Sequence, residues 1–313
     1  MLVKQLSIGD KTLKNNILLA PMAGYTDYAF RCLELEQGYG FCYTELVSAK
    51  GLFFKGDNSK ALLFSGNDYA STGAQIFGSD EYYMRLACES ENLSKFDIID
   101  INFGCPVPKV YKYGDGSALL KDILKAEKIV KECVKSGKNI TIKIRTGLKE
   151  GDDVATDFAL MAENAGAKAI TIHGRVREAY YSGEPNFNAI AKAKASVKIP
   201  VIANGGIFTV KDAEQMIDKT GADGIMIARG ATQNPFLICE LLNDDSPKDT
   251  KAFMKRHLSL MVENFKGEKR ACLEFRKFIS GYLKGREGIK QVKLKLLQAQ
   301  TQSEIFDIID NEL

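Results

Sequence analysis

The chain has 313 residues, 45% hydrophobic and 27% charged with a net charge of +3, which describes a globular protein with one large core or a large and a small one. No apolar run approaches the roughly 20 residues that span a bilayer, and the first residues lack the pattern of a secretory leader, so a cytoplasmic protein without membrane contact is expected. Seven cysteines without a C-x-x-C pair, accompanied only by His173 and His257, argue against a disulfide framework and against a Cys/His metal cage.

Short apolar or β-branched runs alternate with helical stretches along most of the chain. The first strand, 17–20, runs into Pro21-Met22-Ala23. The second is 41–44, and the third, 73–77, carries Gln75. The fourth, 97–102, delivers Asn102 to Phe103-Gly104-Cys105-Pro106, with Gly114-Asp115-Gly116-Ser117 beyond. The fifth, 139–145, carries Lys143 and Arg145, and the sixth, 169–173, ends at His173 with Arg175 just past it. The seventh, 200–203, leads into Asn204-Gly205-Gly206, and the eighth, 224–228, into Arg229-Gly230. Helical segments are predicted at 118–136, 153–166 and 210–220, with Gly166 and Gly221 at helix ends as C-terminal caps. Eight such alternations predict an α/β protein with a (β/α)8 TIM barrel over residues 1–245.

After Asn243-Asp244-Asp245-Ser246-Pro247 the strand pattern stops. Apolar residues then recur near helical spacing at Leu258, Met261, Val262 and Phe265, and again at Leu273, Phe275, Phe278 and Ile279. A helical domain over 246–313 follows. This region holds 14 Lys and Arg against 9 Asp and Glu, whereas residues 1–245 hold 29 against 31. Such asymmetry points to a polyanionic partner, although surface lysines are more often simply solvated.

Active sites of such barrels form at the carboxyl ends of the strands, and here those ends are unusually polar. Cys105 is the one cysteine placed where a catalytic thiol is expected; a small buried hydrophobe in a turn is the plainer alternative. Lys143 and Arg145 share a strand face, so they either hold a ring and an anionic or carbonyl-bearing substrate or make an ordinary internal ion pair with Asp100. His173 is also aimed inward and suits a cofactor contact better than acid–base duty. The glycines after the seventh and eighth strands, with the charged fork of Arg229, predict a site for a phosphorylated ligand.

With these residues in place, the chain resembles the FMN-dependent tRNA-dihydrouridine synthases of bacterial type, nearest the B group. The resemblance rests on Ala20-Pro21-Met22-Ala23-Gly24-Tyr25-Thr26-Asp27, Gln75-Ile76-Phe77-Gly78 and Asp100-Ile101-Asn102-Phe103-Gly104-Cys105-Pro106. It continues through Lys143-Ile144-Arg145, His173-Gly174-Arg175, Asn204-Gly205-Gly206, Ala228-Arg229-Gly230 and the basic helical tail. One departure is the third position of Asn204-Gly205-Gly206, where many members carry Asp; a backbone contact to phosphate survives it.

The resemblance implies FMN as cofactor, NADPH or NADH as reductant, and hydride transfer to C6 of a tRNA uridine with Cys105 protonating C5. It also implies that Pro21, Met22, Ala23 and Gln75 hold the flavin ring, with Lys143 near its N1/O2 edge. His173, Asn204, Gly205, Gly206, Ala228 and Arg229 then flank the phosphate. Asn102, Arg145 and Arg175 face the substrate, while Lys109, Tyr111, Lys112, Tyr113 and the tail meet RNA. No metal is implied, and a monomer is expected. Two enzymatic alternatives remain at this point: a ribosomal RNA dihydrouridine synthase and an FMN-dependent pyrimidine oxidoreductase of the dihydroorotate type. The basic tail speaks against the latter, and an intact Cys105, Lys143 and phosphate loop speak against an RNA-binding barrel without chemistry.

Overall fold

A computed structural model describes residues 2–54, 56–264 and 267–313; Phe265, counted above in an apolar stripe, lies outside them. A hairpin comes first, β1 (Leu6–Ile8) and β2 (Lys11–Leu13). It is followed by β3 (Ile17–Leu19), β4 (Phe41–Ser48), β5 (Thr72–Phe77), β6 (Ile98–Phe103), β7 (Asn139–Gly147), β8 (Ala169–Val176), β9 (Val201–Asn204) and β10 (Gly224–Ile227). Strands β3 to β10 pair in parallel and close a barrel, with β10 returning to β3. These are the eight predicted strands, and the fold is the TIM barrel expected of them.

Alternation along each strand separates two cores. Outward residues such as Ile17, Leu19, Ile99, Ile101, Ile140, Ile142, Ile170 and Ile172 pack under the surrounding helices. Inward residues Leu18, Phe41, Tyr43, Ile98, Ala169, Ile202 and Met226 fill the amino-terminal half of the barrel, and Leu6, Ile8 and Leu13 of the hairpin join them. Gly73 makes this inner packing possible: a Cβ there would lie 2.8 Å from the Tyr43 ring and 2.9 Å from Phe41. Higher on the same inward rows the residues turn polar, so the apolar plug supports a polar mouth. This is the usual division in a packed barrel, stability at one end and chemistry at the other.

Three local features differ from the sequence-based expectations. The hairpin is not foreseen, because two three-residue strands around Gly9-Asp10 carry too little periodicity. Strand β4 runs on to Ser48 through an irregularity between Tyr43 and Leu46. The single helix expected at 118–136 is instead a 3-10 segment Gly116–Lys121 and a helix Ile123–Val134, divided where the Asp122 carboxylate accepts from the Lys125 N–H at 3.0 Å.

Beyond the barrel lie helices Thr250–Asn264, Glu268–Tyr282, Lys290–Gln298 and Gln302–Glu312. They are held to it by an aromatic cluster in which Phe278 meets Tyr25 at 5.4 Å, Phe30 at 5.2 Å and His257 at 4.5 Å between ring centroids. The approach is tight at Gly281, where a Cβ would stand 2.0 Å from the Thr232 carbonyl oxygen in the short helix Arg229–Gln233 after β10. Gly281→Ala therefore forces backbone apart and is expected to cost about 2 kcal/mol or more. A lower urea midpoint at unchanged slope checks this.

Candidate active site

The polar inward residues come from five neighbouring strands, and pairing register sets them side by side. Gln75 lies opposite Asp100 across β5 and β6, and Asn102 opposite Lys143 across β6 and β7. His173 lies between Arg145 on β7 and Asn204 on β9. Residues far apart in the chain are thus neighbours because each points inward in the carboxyl-terminal part of the barrel.

Cys105 sits at the first bend beyond β6. Asn102 Oδ1 accepts from the N–H groups of Gly104 at 3.1 Å and Cys105 at 2.8 Å. From the other side the Ser117 N–H, at 3.2 Å, and its hydroxyl, at 2.7 Å, both donate to the Cys105 carbonyl. Gly116 adopts φ +59°, and a Cβ there would press on Cys105 Cβ at 3.0 Å. Both backbone polar groups of Cys105 are therefore clamped while the thiol stays half-buried. Burial pushes that thiol above its ordinary value, opposed by the Val107 backbone and Arg145. Such a thiol keeps its proton at neutral pH, the state of a proton donor rather than a nucleophile. Cys32, the other half-buried cysteine, lies on a helix against Glu36, and the remaining five are buried.

Lys143 does not pair with Asp100. Its Nζ donates to Asn204 Oδ1 at 2.8 Å, and the Asn204 amide is turned that way because its Nδ2 donates to the Met226 carbonyl at 2.7 Å. Burial first, then the neighbouring Arg145, pulls the Lys143 ammonium down to about 7, against the opposite pull of Asp100. A cation so poised responds strongly to an incoming anion. Asp100 instead accepts from Thr141 Oγ1 at 2.6 Å and from Gln75 Nε2 at 2.7 Å. Gln75 Oε1 in turn accepts from Asn102 Nδ2 at 2.9 Å.

Arg145 is 2% exposed and mostly committed to backbone. Its Nε donates to the Gly104 carbonyl at 3.0 Å, and Nη1 donates to those of Val176 at 3.0 Å and Tyr180 at 2.8 Å. It thereby ties the Cys105 loop to the loop after β8, leaving Nη2 for a ligand.

The corner formed by β8, β9 and β10 is cationic and open at the backbone. Gly205 and Gly206 take φ +115° and +74°, and a Cβ on Gly205 would stand 2.7 Å from the His173 ring and 3.0 Å from Arg175 Nη1. Only glycine fits that conformation in that space. His173, 8% exposed, is held neutral by burial and by the surrounding Arg145, Lys143, Arg175 and Arg229. Arg175 belongs to this corner: its Nη1 lies 3.4 Å from His173 Nε2, and the Gly183 carbonyl accepts from its Nη2 at 2.6 Å. A small cavity lined by His173, Asn204, Gly205, Gly206, Ala228 and Arg229 opens here. A glycine cradle and two guanidinium groups fit a phosphate-bearing ligand.

Pro21, Met22 and Ala23 form a partly exposed turn at the end of β3, closed by the Tyr25 and Thr26 N–H groups donating to the Met22 carbonyl at 2.9 and 3.0 Å. Lys109, Lys112 and Tyr113 are exposed on and after the short helix Pro108–Lys112. The Tyr111 ring is engaged within the protein, with the Arg177 guanidinium 3.8 Å and the Lys121 ammonium 4.8 Å from its centroid. Tyr181 is not singled out by sequence. It stacks on His173 at 6.4 Å and lies under the guanidinium groups of Arg229 at 4.5 Å and Arg145 at 5.7 Å. The Tyr180-Tyr181 pair in a polar loop is the one hint available. Among the described residues no three or more His, Cys, Asp or Glu side chains gather as a metal site, and no helix is long and apolar enough to cross a membrane.

Comparison with known proteins agrees with this geometry. The family model described as Dihydrouridine synthase (Dus) matches residues 18–312. The tRNA-dihydrouridine synthase B of Vibrio parahaemolyticus is 36% identical over 292 residues, covering 90% of each chain. A probable tRNA-dihydrouridine synthase of Rickettsia conorii is 39% identical over 75% of this chain and 72% of its own. Among solved structures, histamine dehydrogenase from Rhizobium sp. 4-9 superposes with a TM-score of 0.61 at 15% identity, over 83% of this chain and 51% of that one. Morphinone reductase superposes with a TM-score of 0.56 at 12% identity, over 80% of this chain and 92% of that one. These two likenesses are of fold.

Proposed function

The chain belongs to the dihydrouridine synthase family, and from that premise we propose that Cys105 and the cationic ring around it perform its reaction with FMN as cofactor and NADPH as reductant. The activity is that of a tRNA-dihydrouridine synthase, a flavin-dependent oxidoreductase acting on the C5=C6 bond of uridine in tRNA. Bound in the barrel mouth, FMN reduced by NADPH supplies the hydride that C6 receives.

The remaining work falls to the protein's own residues. His173, Asn204, Gly205, Gly206, Ala228 and Arg229 hold the phosphate, with Arg175 behind them. Gln75 and the Pro21-Met22-Ala23 turn seat the ring, and Lys143 offers it a cation. Asn102, through its second amide hydrogen, and Arg145, through Nη2, face the uracil edge. Cys105 donates the proton to C5. A uridine reaches this recess only when flipped out of its stack, and its unpaired edge is then free to be read.

The observation that carries this reading is the clamped, half-buried Cys105 among Asn102, Lys143 and Arg145, with a phosphate cradle three strands away. Nucleoside mass spectrometry on tRNA and ribosomal RNA from cells with and without the gene tests it. Dihydrouridine lost from a tRNA position supports the reading and names the site. Loss confined to ribosomal RNA moves the substrate, and no loss in either fraction rejects it for that cell.

The helical region from residue 246 onward serves RNA contact in this proposal. Several of its cations are spent on ion pairs: Arg256 with Glu36, Lys255 with Asp310 and Lys295 with Glu312. Arg286, Lys290 and Lys293 instead line one surface depression. Reversing these three to Glu is expected to raise KM for tRNA by about tenfold or more and to flatten its salt dependence, with NADPH oxidation unchanged. An unaltered KM removes this surface from the interface. Charge reversal is the sounder test than truncation, because deleting the region uncovers Phe30 and Tyr25.

A further inference from the structure

Beside Cys105, three side chains form a hydrogen-bond chain that permits one sense only. Asp100, 1% exposed, takes Gln75 Nε2 on Oδ2, Gln75 Oε1 takes Asn102 Nδ2, and Asn102 Oδ1 takes the Gly104 and Cys105 N–H groups. The ends are chemically fixed, since a carboxylate only accepts and a backbone N–H only donates. Reversing either amide would set acceptor against acceptor or donor against donor in a buried row. Gln75 is pinned at its backbone as well, where its N–H donates to Thr44 Oγ1 at 3.1 Å.

The groups facing Asp100 are Gln75 on β5, Thr141 and Lys143 on β7, and Tyr43 on β4. Burial raises the carboxyl to about 6, while Thr141, Gln75 and Lys143 hold it down. Both of its oxygens serve as acceptors, Oδ1 from Thr141 Oγ1 at 2.6 Å and Oδ2 from Gln75 Nε2 at 2.7 Å. Without it the Gln75 amide, whose two ends are nearly equal in shape, has no reason to prefer one orientation at its inner end.

We propose that Asp100 is a positioning residue: it holds the sense of the Asp100–Gln75–Asn102 chain from the inner end, as the Gly104 and Cys105 N–H groups hold it from the outer one, and so helps determine which end of the Gln75 amide meets the flavin and how Cys105 is presented. The inference rests on the roles given above to Gln75 and Cys105.

Three variants test it: Asp100→Asn, Asn102→Asp and the double variant. The readouts are apoprotein Tm, FMN dissociation constant by quenching of flavin fluorescence, and the flavin midpoint potential. In Asp100→Asn the charge is lost and only the Asn102 end still selects the sense, so FMN affinity is expected to fall about fivefold and the potential to move. In Asn102→Asp the Gln75 amide has a carboxylate at both ends, so Tm drops and affinity falls about a hundredfold.

The double variant again has one consistent sense, now reversed: the carboxylate introduced at position 102 accepts from Gln75 Nε2, and Gln75 Oε1 accepts from the amide introduced at position 100. Its Tm is expected to return toward wild type and FMN affinity to recover about tenfold over Asn102→Asp, with the potential still displaced. A purely structural Asp100 gives no such rescue. A double variant no more stable than Asn102→Asp overturns the proposal, as does Asp100→Asn with wild-type FMN affinity and potential. If Asn102→Asp fails to fold, soluble yield of the double variant against it reads the same rescue. Should wild-type protein bind no FMN, the proposed function fails, while the Tm rescue still decides the sense of the chain.

Discussion

Replacing Cys105 by alanine is expected to leave a folded, FMN-binding protein that forms dihydrouridine about 10²- to 10⁴-fold more slowly, the range usually lost with a positioned acid. Folding survives because the bonds that shape the loop run through the Cys105 backbone to Asn102 and Ser117, and only the thiol is removed. Binding of FMN survives because the phosphate corner lies on β8 to β10, away from the thiol. A single-turnover assay with pre-reduced enzyme and mass-spectrometric detection of dihydrouridine isolates the step. Wild-type rates in the variant would remove Cys105 as proton donor.

The same assignment predicts a pH dependence with a definite sign. An acid works only while protonated, and burial raises the Cys105 thiol above its usual value. The loss of rate that belongs to the thiol is therefore expected only above the ordinary thiol range. The single-turnover profile of uridine reduction is to be read in Lys143→Met, where the ammonium lowered to about 7 is absent and the rate is expected to stay level from neutrality into that range. A decline setting in below that range would mean that the thiol is not the limiting acid.

Lys143→Met is expected to slow dihydrouridine formation by about 10²- to 10³-fold with little loss of stability, a magnitude typical of removing one preorganised charge from a reacting centre. Methionine matches the lysine stem in length, and the main native partner left behind is Asn204 Oδ1, a loss of about 1 kcal/mol. In this reading the ammonium matters when negative charge develops on the ring beside it. Burial and the neighbouring Arg145 lower it to about 7, so an anion beside it would stabilise it. Stopped-flow measurement of FMN reduction by NADPH, followed by uridine reduction, should find both steps slowed. An unaffected FMN reduction would place Lys143 with the substrate instead of the ring.

Legibility differed from element to element. Asp100, Asn102, Lys143, Arg145 and His173 could be assigned to the barrel interior because their neighbours Ile99, Ile101, Ile142, Ile144 and Ile172 face outward by simple alternation. The glycine-rich corner at the ends of β9 and β10 could be read from two loops, each local in sequence. Arg145 was harder, since its acceptors at Val176, the last residue of β8, and at Tyr180 in the loop beyond lie more than 30 residues away. The same loop hid Tyr181, and it hid the placement of Arg175 beside His173, with its guanidinium donating to the Gly183 carbonyl.

By itself, then, the sequence determined the eight alternating strands, the polar mouth with Cys105 and Lys143 in it, and the helical tail, because each depends on a short period or a local turn. Tertiary structure alone decided that Asp100 directs Gln75 rather than neutralising Lys143, that Asn204 takes that lysine, and that Arg145 binds two loops together. Those choices follow from the register between strands and from carbonyls supplied by distant loops. Neither can be read from residue spacing, because side chains on one barrel layer compete for partners that only closure brings within hydrogen-bonding reach.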